Sequence, residues 1–396
     1  MAVGRPAGCG AKACRSTKGD GHLIQPSAGP DGPGAAAKIS VVVSTYKRAE
    51  TLRETCARLA AQDLPSDAFE VIVVDDGSPD HTQDVVRELL RSLPVRLRYL
   101  RHDNAGPGYT QNRGIEAASA PLVLLIADDI WLKPQALRAH LEAHERHPEP
   151  EVAVLGRVVQ SPRLTETLLL RTHDPFRFGQ LDGLEWLPYY FFWGCNISFK
   201  RSFMTAHGMF REDHGPGGVA SHEDTEVGYR LAQHGLRIRY EQAAVGEHYH
   251  HETLEHFIGR AYMRGLNYWW FRDLAPAPEL SVRYRTITDW RCVGDHVRAW
   301  WGPRRALLIG GDRRPLQLLA TYVARTLVFN GWAVDRIWLP LVRTAERNQR
   351  LANWVRPMMY RGIVNRSFYR GCRDGKLSRP RSQPERPATG PRLTGL

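Results

Sequence analysis

The chain has 396 residues, 42% of them hydrophobic and 24% charged, with a formal net charge of +12. That is a globular composition, long enough for one large domain with an appendage or for two domains, and no apolar run approaches the ~18 residues of a membrane-spanning helix. Its six cysteines are scattered and lack metal-type spacing, which excludes a disulfide framework and makes a reducing cytoplasm the expected compartment.

Residues 1–37 are rich in Gly, Ala and Pro and contain no signal-peptide core, so a disordered leader is expected there. Regular patterning begins with "ISVVVS" (39–44), a β-branched apolar run, followed by a helical stretch from Ala49 to Gln62. "FEVIVVDDGS" (69–78) repeats the scheme, with a helix over Asp80–Ser92. "VRLRYLR" (95–101) is a third strand; the loop "HDNAGPGYTQNRG" leads into a helix near 108–118, and "PLVLLIADD" is a fourth strand. Short, continuously apolar strands alternating with helices predict a doubly wound α/β domain, its mostly parallel sheet covered on both faces.

Beyond it, "VAVLGRVV" (152–159) and "CNISFKR" (195–201) read as strands flanking an aromatic-rich loop region over 160–192. "EDTEVGYRLAQHG" reads as a helix closed by Gly235, "LRIRYE" as a strand, and Thr253–Phe271 as a helix with Phe257, Ala261, Tyr268 and Phe271 on one stripe. The Pro-bearing stretch "DLAPAPEL" (273–280) marks the expected boundary between a domain over 38–274 and a mainly helical, basic region over 275–396 with a disordered tail.

Ligands of doubly wound sheets bind beyond the carboxyl ends of the strands, and Asp75, Asp76, Asp128 and Asp129 all stand there. Acids gathered on that edge need a cation, a sugar hydroxyl or a base amide to satisfy them. The adjacent pair Asp128–Asp129 poses the question most sharply, because side-by-side carboxylates repel and are costly to desolvate. A divalent cation answers it; so does a turn whose side chains cap the next helix, entered at Pro134.

The segments "ISVVVSTYKR", "FEVIVVDDGSPDHT", "NAGPGYTQNRGI", "LVLLIADDIWLKP", "GCNISFKRSFM", "HEDTEVGYRLAQHGLRIRY" and "AAVGEHYHH" resemble, in order and approximate spacing, the family-two glycosyltransferases of GT-A fold. The resemblance covers about six-tenths of the chain, residues 39–272. It implies an inverting enzyme that moves a sugar from a nucleoside diphosphate, most often UDP, to an acceptor hydroxyl with the help of Mg²⁺ or Mn²⁺. Thr45, Tyr46 and Arg48 at the first strand's end, Asp75 or Asp76 at the second and Asn112 would line the nucleotide pocket, with Asp128 on the ribose. Asp129 would hold the metal, since a hard cation needs few protein carboxylates when phosphates and water complete its shell. Asp224 would be the general base and Glu223 would position the acceptor, although acids also favour a helix start for its dipole alone. His248, with His250 as second choice, would complete the metal or diphosphate site. The chain departs from the family at Ala127, where the metal motif commonly has its first carboxylate, and at Gln111, where Arg is common.

The charge is uneven: Arg343 to Arg381 holds eleven Lys and Arg against Glu346 and Asp374, a local +9. Such an excess suits an anionic membrane surface, giving a cytoplasmic protein peripheral on the inner face of the cell membrane, or it is a solvated tail. Nucleic acid is the least favoured partner, because no nucleic-acid module accompanies the charge. The expected acceptor is a glycan, a lipid-linked sugar or a small molecule. The rival expectation is a catalytically degenerate GT-A protein that binds glycan or nucleotide without turnover.

Overall fold

The computed structural model describes residues 22–24, 36–172, 178–213, 215, 221–277 and 331–377. Residues 1–21 and 25–35 of the expected leader, the segment 278–330 and the tail 378–396 lie outside the described residues. Within the leader, His22–Ile24 (β1) is a strand rather than coil, paired antiparallel along the outer edge of the third predicted strand.

Four strands form the middle of the sheet: β2 (Ile39–Thr45), β3 (Phe69–Asp75), β4 (Arg96–Arg101) and β5 (Leu122–Ala127). They are parallel in the order β4-β3-β2-β5, and β2 and β3 are buried along nearly their whole length. Helices α1 (Ala49–Ala60), α2 (Thr82–Ser92) and α3 (Pro107–Ala117) make the crossovers, as the alternating pattern predicts. The sheet continues through β9 (Asn196–Lys200), antiparallel to β5, then β7 (Val152–Gln160) and β10 (Arg237–His248). Because β9 is antiparallel to both neighbours and β10 is parallel to β7, the carboxyl end of β10 returns to the same edge as those of β2, β3 and β5.

Two features depart from the sequence reading. After Asp129 the chain does not enter a helix but makes β6 (Ile130–Leu132), antiparallel to β10. The following helix, α4 (Ala136–Arg146), has Gln135 at its N-cap and no side-chain cap, so capping is not what Asp128 and Asp129 do. The strand predicted at "LRIRYE" runs on to His248 through a bulge between Glu241 and Val245, where the Asn196 amide donates to the Ala244 carbonyl at 2.9 Å. Asn196 and Ser198 are further tied to His140 and His144 of α4, a buried polar network that fixes β9 under that helix.

Between β7 and α7 (Glu223–Ala232) the chain adds α5 (Leu168–Thr172), β8 (Trp186–Leu187), which pairs with β10, and α6 (Arg201–His207) after β9. The aromatic stretch is core: Tyr190, Phe191 and Phe192 are fully buried beneath α7. The long helix α8 (Leu254–Leu274) follows β10 and is joined by α9 (Leu339–Glu346) and α10 (Pro357–Leu377). Helices α8 and α10 approach closely enough that glycine is required on both. A Cβ on Gly265 would lie 2.0 Å from the Phe368 carbonyl, and one on Gly371 would lie 2.1 Å from that of Tyr262. The Trp269 indole donates to the Cys372 carbonyl at 2.9 Å, and Leu254 and Phe257 share a second small core with Val342, Tyr360 and Ile363. The segments on either side of 278–330 therefore pack on each other.

Candidate active site

Strand register brings the first group together. Thr45 is opposite Asp75, and Ser44 is opposite Ala127, so the residue after β5 lies beside the end of β2. There the Thr45 hydroxyl donates to Asp128 at 2.7 Å and Arg48 Nη1 donates to the same carboxylate at 3.0 Å. Arg48 also contacts Asp129 through Nη1 and reaches His250 Nδ1 at 3.2 Å through Nη2. Strand β10 delivers two imidazoles to Asp129 Oδ2: His250 Nδ1 at 3.3 Å and His248 Nε2 at 3.7 Å. The intervening Tyr249 donates its N–H to the Asp129 carbonyl at 2.8 Å and stacks its ring on Trp131 of β6 at 4.1 Å. The β6–β10 pairing therefore holds carboxylate and imidazoles in register.

Burial works against both charges of the acid pair, but the two carboxylates divide the cost unequally. Hydrogen bonds from His248 and His250, with the Arg48 charge, hold Asp129 far below the usual carboxylate range. Burial and the neighbouring Asp129 charge push Asp128 up, against the pull of Arg48. Asp129, His248 and His250 present one carboxylate oxygen and two ring nitrogens within 4.8 Å of one another, an arrangement able to hold a metal ion. His250 Nε2 is buried without a hydrogen-bond partner among the described residues.

Glu223 and Asp224 open α7 as predicted. Asp224 Oδ2 accepts the Gly194 N–H at 2.9 Å, and a Cβ on Gly194 would meet Gln111 Nε2 at 3.0 Å and Asp224 Oδ1 at 3.1 Å. Gly194 leaves room for this approach, which also places Gln111, the departure from the family pattern, beside the acid. Burial raises Asp224 to about 6 against the Gly194 hydrogen bond, and raises Glu223 to about 7 with help from the Asp224 charge. Glu223 Oε1 is buried and has no hydrogen-bond partner among the described residues. Burial first, then the charges of Asp224 and Asp129, push the Cys195 thiol up.

Other predicted residues have scaffold partners. Asp75 is fully buried, accepting from the Ser78 N–H at 2.8 Å and the Tyr99 hydroxyl at 2.6 Å. Asp76 gathers the glycine-bearing loop, accepting from Ala105 N at 2.7 Å, Asn104 Nδ2 at 3.0 Å and Gly106 N at 3.1 Å. Asn112 brackets Phe210, donating to its carbonyl and accepting its N–H, both at 2.9 Å. Tyr46 is 39% exposed, with Lys47 Nζ over its ring. Sequence reasoning missed Arg48 as the internal counter-ion of both aspartates and Gly194 as the backbone partner of Asp224. The tight "WGCN" between an aromatic run and a strand was the one available signal for that partner.

Residues 40–207 match the family described as Glycosyl transferase family 2. Validoxylamine A glucosyltransferase of Streptomyces hygroscopicus subsp. jinggangensis is 32% identical over 254 residues, covering 56% of this chain and 58% of the relative. Poly(ribitol-phosphate) beta-N-acetylglucosaminyltransferase TarS of Staphylococcus aureus is 34% identical over 101 residues, 26% of this chain and 18% of that protein. The chain thus spans just over half the length of the validoxylamine A glucosyltransferases it matches. Among solved structures, the mannosyltransferase PcManGT from Pyrobaculum calidifontis, in complex with GDP-Man and Mn2+, superimposes with a TM-score of 0.51 at 18% identity, covering 86% of this chain and 90% of that one. The motif order, the sheet that carries it and these similarities agree: residues 40–207 match glycosyltransferase family 2, and the fold is that of the GT-A glycosyltransferases.

Proposed function

We propose that the protein is an inverting, metal-dependent glycosyltransferase that moves a sugar from a nucleoside diphosphate, UDP-linked by preference, to an acceptor hydroxyl. The observation that carries this reading is the presence on one sheet edge of a carboxylate–imidazole set able to hold a cation and of a buried carboxylate, Asp224, raised to about 6; the acids of both, Asp129 and Asp224, act on the Cys195 thiol. That combination suits a single displacement, in which the leaving diphosphate and the attacking hydroxyl each need a partner.

Asp224 takes the acceptor proton. A base raised to about 6 is ionised at neutral pH yet still basic enough to accept it. The acceptor oxygen then bonds to the anomeric carbon as the bond to the diphosphate breaks. Glu223, with an unpartnered oxygen, holds a second acceptor hydroxyl. Asp129, His248 and His250 would hold the divalent cation, whose chemistry is to neutralise the departing diphosphate. Mg²⁺ prefers oxygen ligands throughout, so the imidazole-bearing set favours Mn²⁺ of the two. Thr45 and Arg48 fix Asp128 for the ribose, while Asp75, Asp76 and Asn112 shape the nucleotide pocket through the loop and helix they pin. The degenerate, binding-only alternative is disfavoured because base and cation set are both present.

The relative named for validoxylamine A supports a small-molecule acceptor among the three classes. No described helix is long and apolar enough to cross a membrane. Trp332, Ile337, Trp354, Met358 and Leu377 are large exposed apolar side chains in or beside the basic stretch 343–381, which supports a berth on the anionic inner face of the cell membrane. Thermal-shift screening of nucleotide sugars with Mn²⁺ tests the donor, since a native-state ligand must raise stability. The largest shift should come from a UDP-sugar, and a panel without any shift would refute the reading. Sedimentation with phosphatidylglycerol vesicles tests the berth; binding unchanged in Trp354→Ala with Arg356→Glu would refute it.

A further inference from the structure

The residue before the two acids of α7 has an uncommon backbone. His222 sits at φ 72°, and with Lys47 it is one of two non-glycine residues at positive φ among the described residues. Both adjoin the site, Lys47 preceding Arg48 and His222 preceding Glu223. A left-handed conformation is uncommon outside glycine, though histidine adopts it more readily than most residues, and here the surroundings hold it.

The enforcing contacts come from α8. The His222 ring is buried, donates from Nε2 to the Arg264 carbonyl at 3.0 Å, and stacks on Phe271 at 4.5 Å with 13° between planes. Asn267, fully buried on the same helix, donates to the Ser221 hydroxyl at 3.0 Å. Burial holds His222 neutral down to about pH 4, and the Arg264 carbonyl, which can only accept, fixes the tautomer with hydrogen on Nε2. The His222 carbonyl then accepts the Glu226 N–H at 2.9 Å and starts α7. Helix α8 is itself clamped by α10 through the glycine contacts and the Trp269–Cys372 hydrogen bond.

We propose that His222 is a positioning residue: tethered to α8, it sets the direction in which α7 presents Glu223 and Asp224 toward Gly194. The proposal rests on the reading of Asp224 as base and names what aims it. The groups around Asp224 are Glu223 on its own helix, the Cys195 thiol and the Gly194 N–H from the loop before β9, and the uncharged Gln111 of α3.

His222→Gly keeps the backbone conformation and removes the tether, His222→Gln restores a donor within reach of Arg264, and Asp224→Asn serves as reference. In full-length protein, His222→Gly should lower kcat by ~10-fold or more, because small misplacements of a reacting group are costly. Donor Kd should hold, and a better-solvated Asp224 should move the acid limb of the pH–rate profile to lower pH. His222→Gln should recover part of kcat and return the limb. A His222→Gly protein that melts earlier but keeps wild-type kcat and pH profile would overturn the proposal, as would a variant that fails to fold with His222→Gln failing likewise. If Asp224→Asn retains activity, the base assignment itself fails, an outcome distinct from loss of activity in Asp224→Asn alone.

Discussion

Replacing Asp224 with asparagine keeps side-chain shape and removes the one function claimed for it. The amide oxygen can still accept the Gly194 N–H that Asp224 accepts at 2.9 Å, so the loop before β9 stays in place, but an amide takes no proton. General-base assistance is worth about 10²–10⁴-fold in rate, so kcat should fall by at least ~10². Stability should move the other way. Burial raises Asp224 from 3.8 to about 6, so the folded state disfavours the charged form; at about 1.4 kcal/mol per unit that strain is ~3 kcal/mol. Because the folded value lies above the unfolded one, the strain is absent below pH 4, grows as pH rises through the interval and is complete above about 6. The asparagine variant, free of it, should melt at or above the wild-type temperature at pH 7.5. A carboxylate serving only as a helix-start acid would behave oppositely, losing about 0.3–1 kcal/mol on neutralisation and keeping turnover. Melting temperature, donor affinity by calorimetry and transfer rate, taken on one preparation, separate these cases. A variant that melts earlier and still transfers sugar would refute the reasoning.

Asp129→Asn should weaken donor binding mainly when Mn²⁺ is present; equal weakening with and without the ion would make Asp129 a structural acid. The transfer rate should fall as pH drops below about 6, the value at which Asp224 gains its proton, and a flat profile from pH 5 to 8 would place the base elsewhere. Gly371→Leu should lower the melting temperature by an amount matching about 1–3 kcal/mol of overpacking, since a Cβ there would lie 2.1 Å from the Tyr262 carbonyl; an unchanged melting curve would contradict the α8–α10 contact.

The central sheet was legible because β2, β3 and β5 are unbroken apolar runs, and only a strand covered on both faces can bury such a run in so few residues. The acids at their ends were legible for the same reason, as charge that cannot follow the strand inward. What lay beyond sequence reading was pairing at a distance. Arg48 meets Asp128 across 80 positions, and nothing in "STYKR" marks one cation as the counter-ion of two acids. Strand β6 was invisible because three residues before Lys-Pro carry no alternation, and β10 was cut short because "EQAAVG" holds the bulge that β-propensity cannot anticipate. Asp75 and Asp76 were expected to meet the nucleotide; the bonds in the structure go to Ser78, Tyr99 and the 104–106 loop, pairings at a distance that the sequence does not mark.

The most direct test of inverting, metal-dependent transfer is to follow purified protein with an α-linked UDP-sugar by proton NMR, with Mn²⁺ and then with excess chelator. The expected result is consumption of donor with Mn²⁺ and a first-formed product of β configuration, both abolished by the chelator and in Asp224→Asn. A first-formed α product, or donor turnover indifferent to chelation, would contradict it.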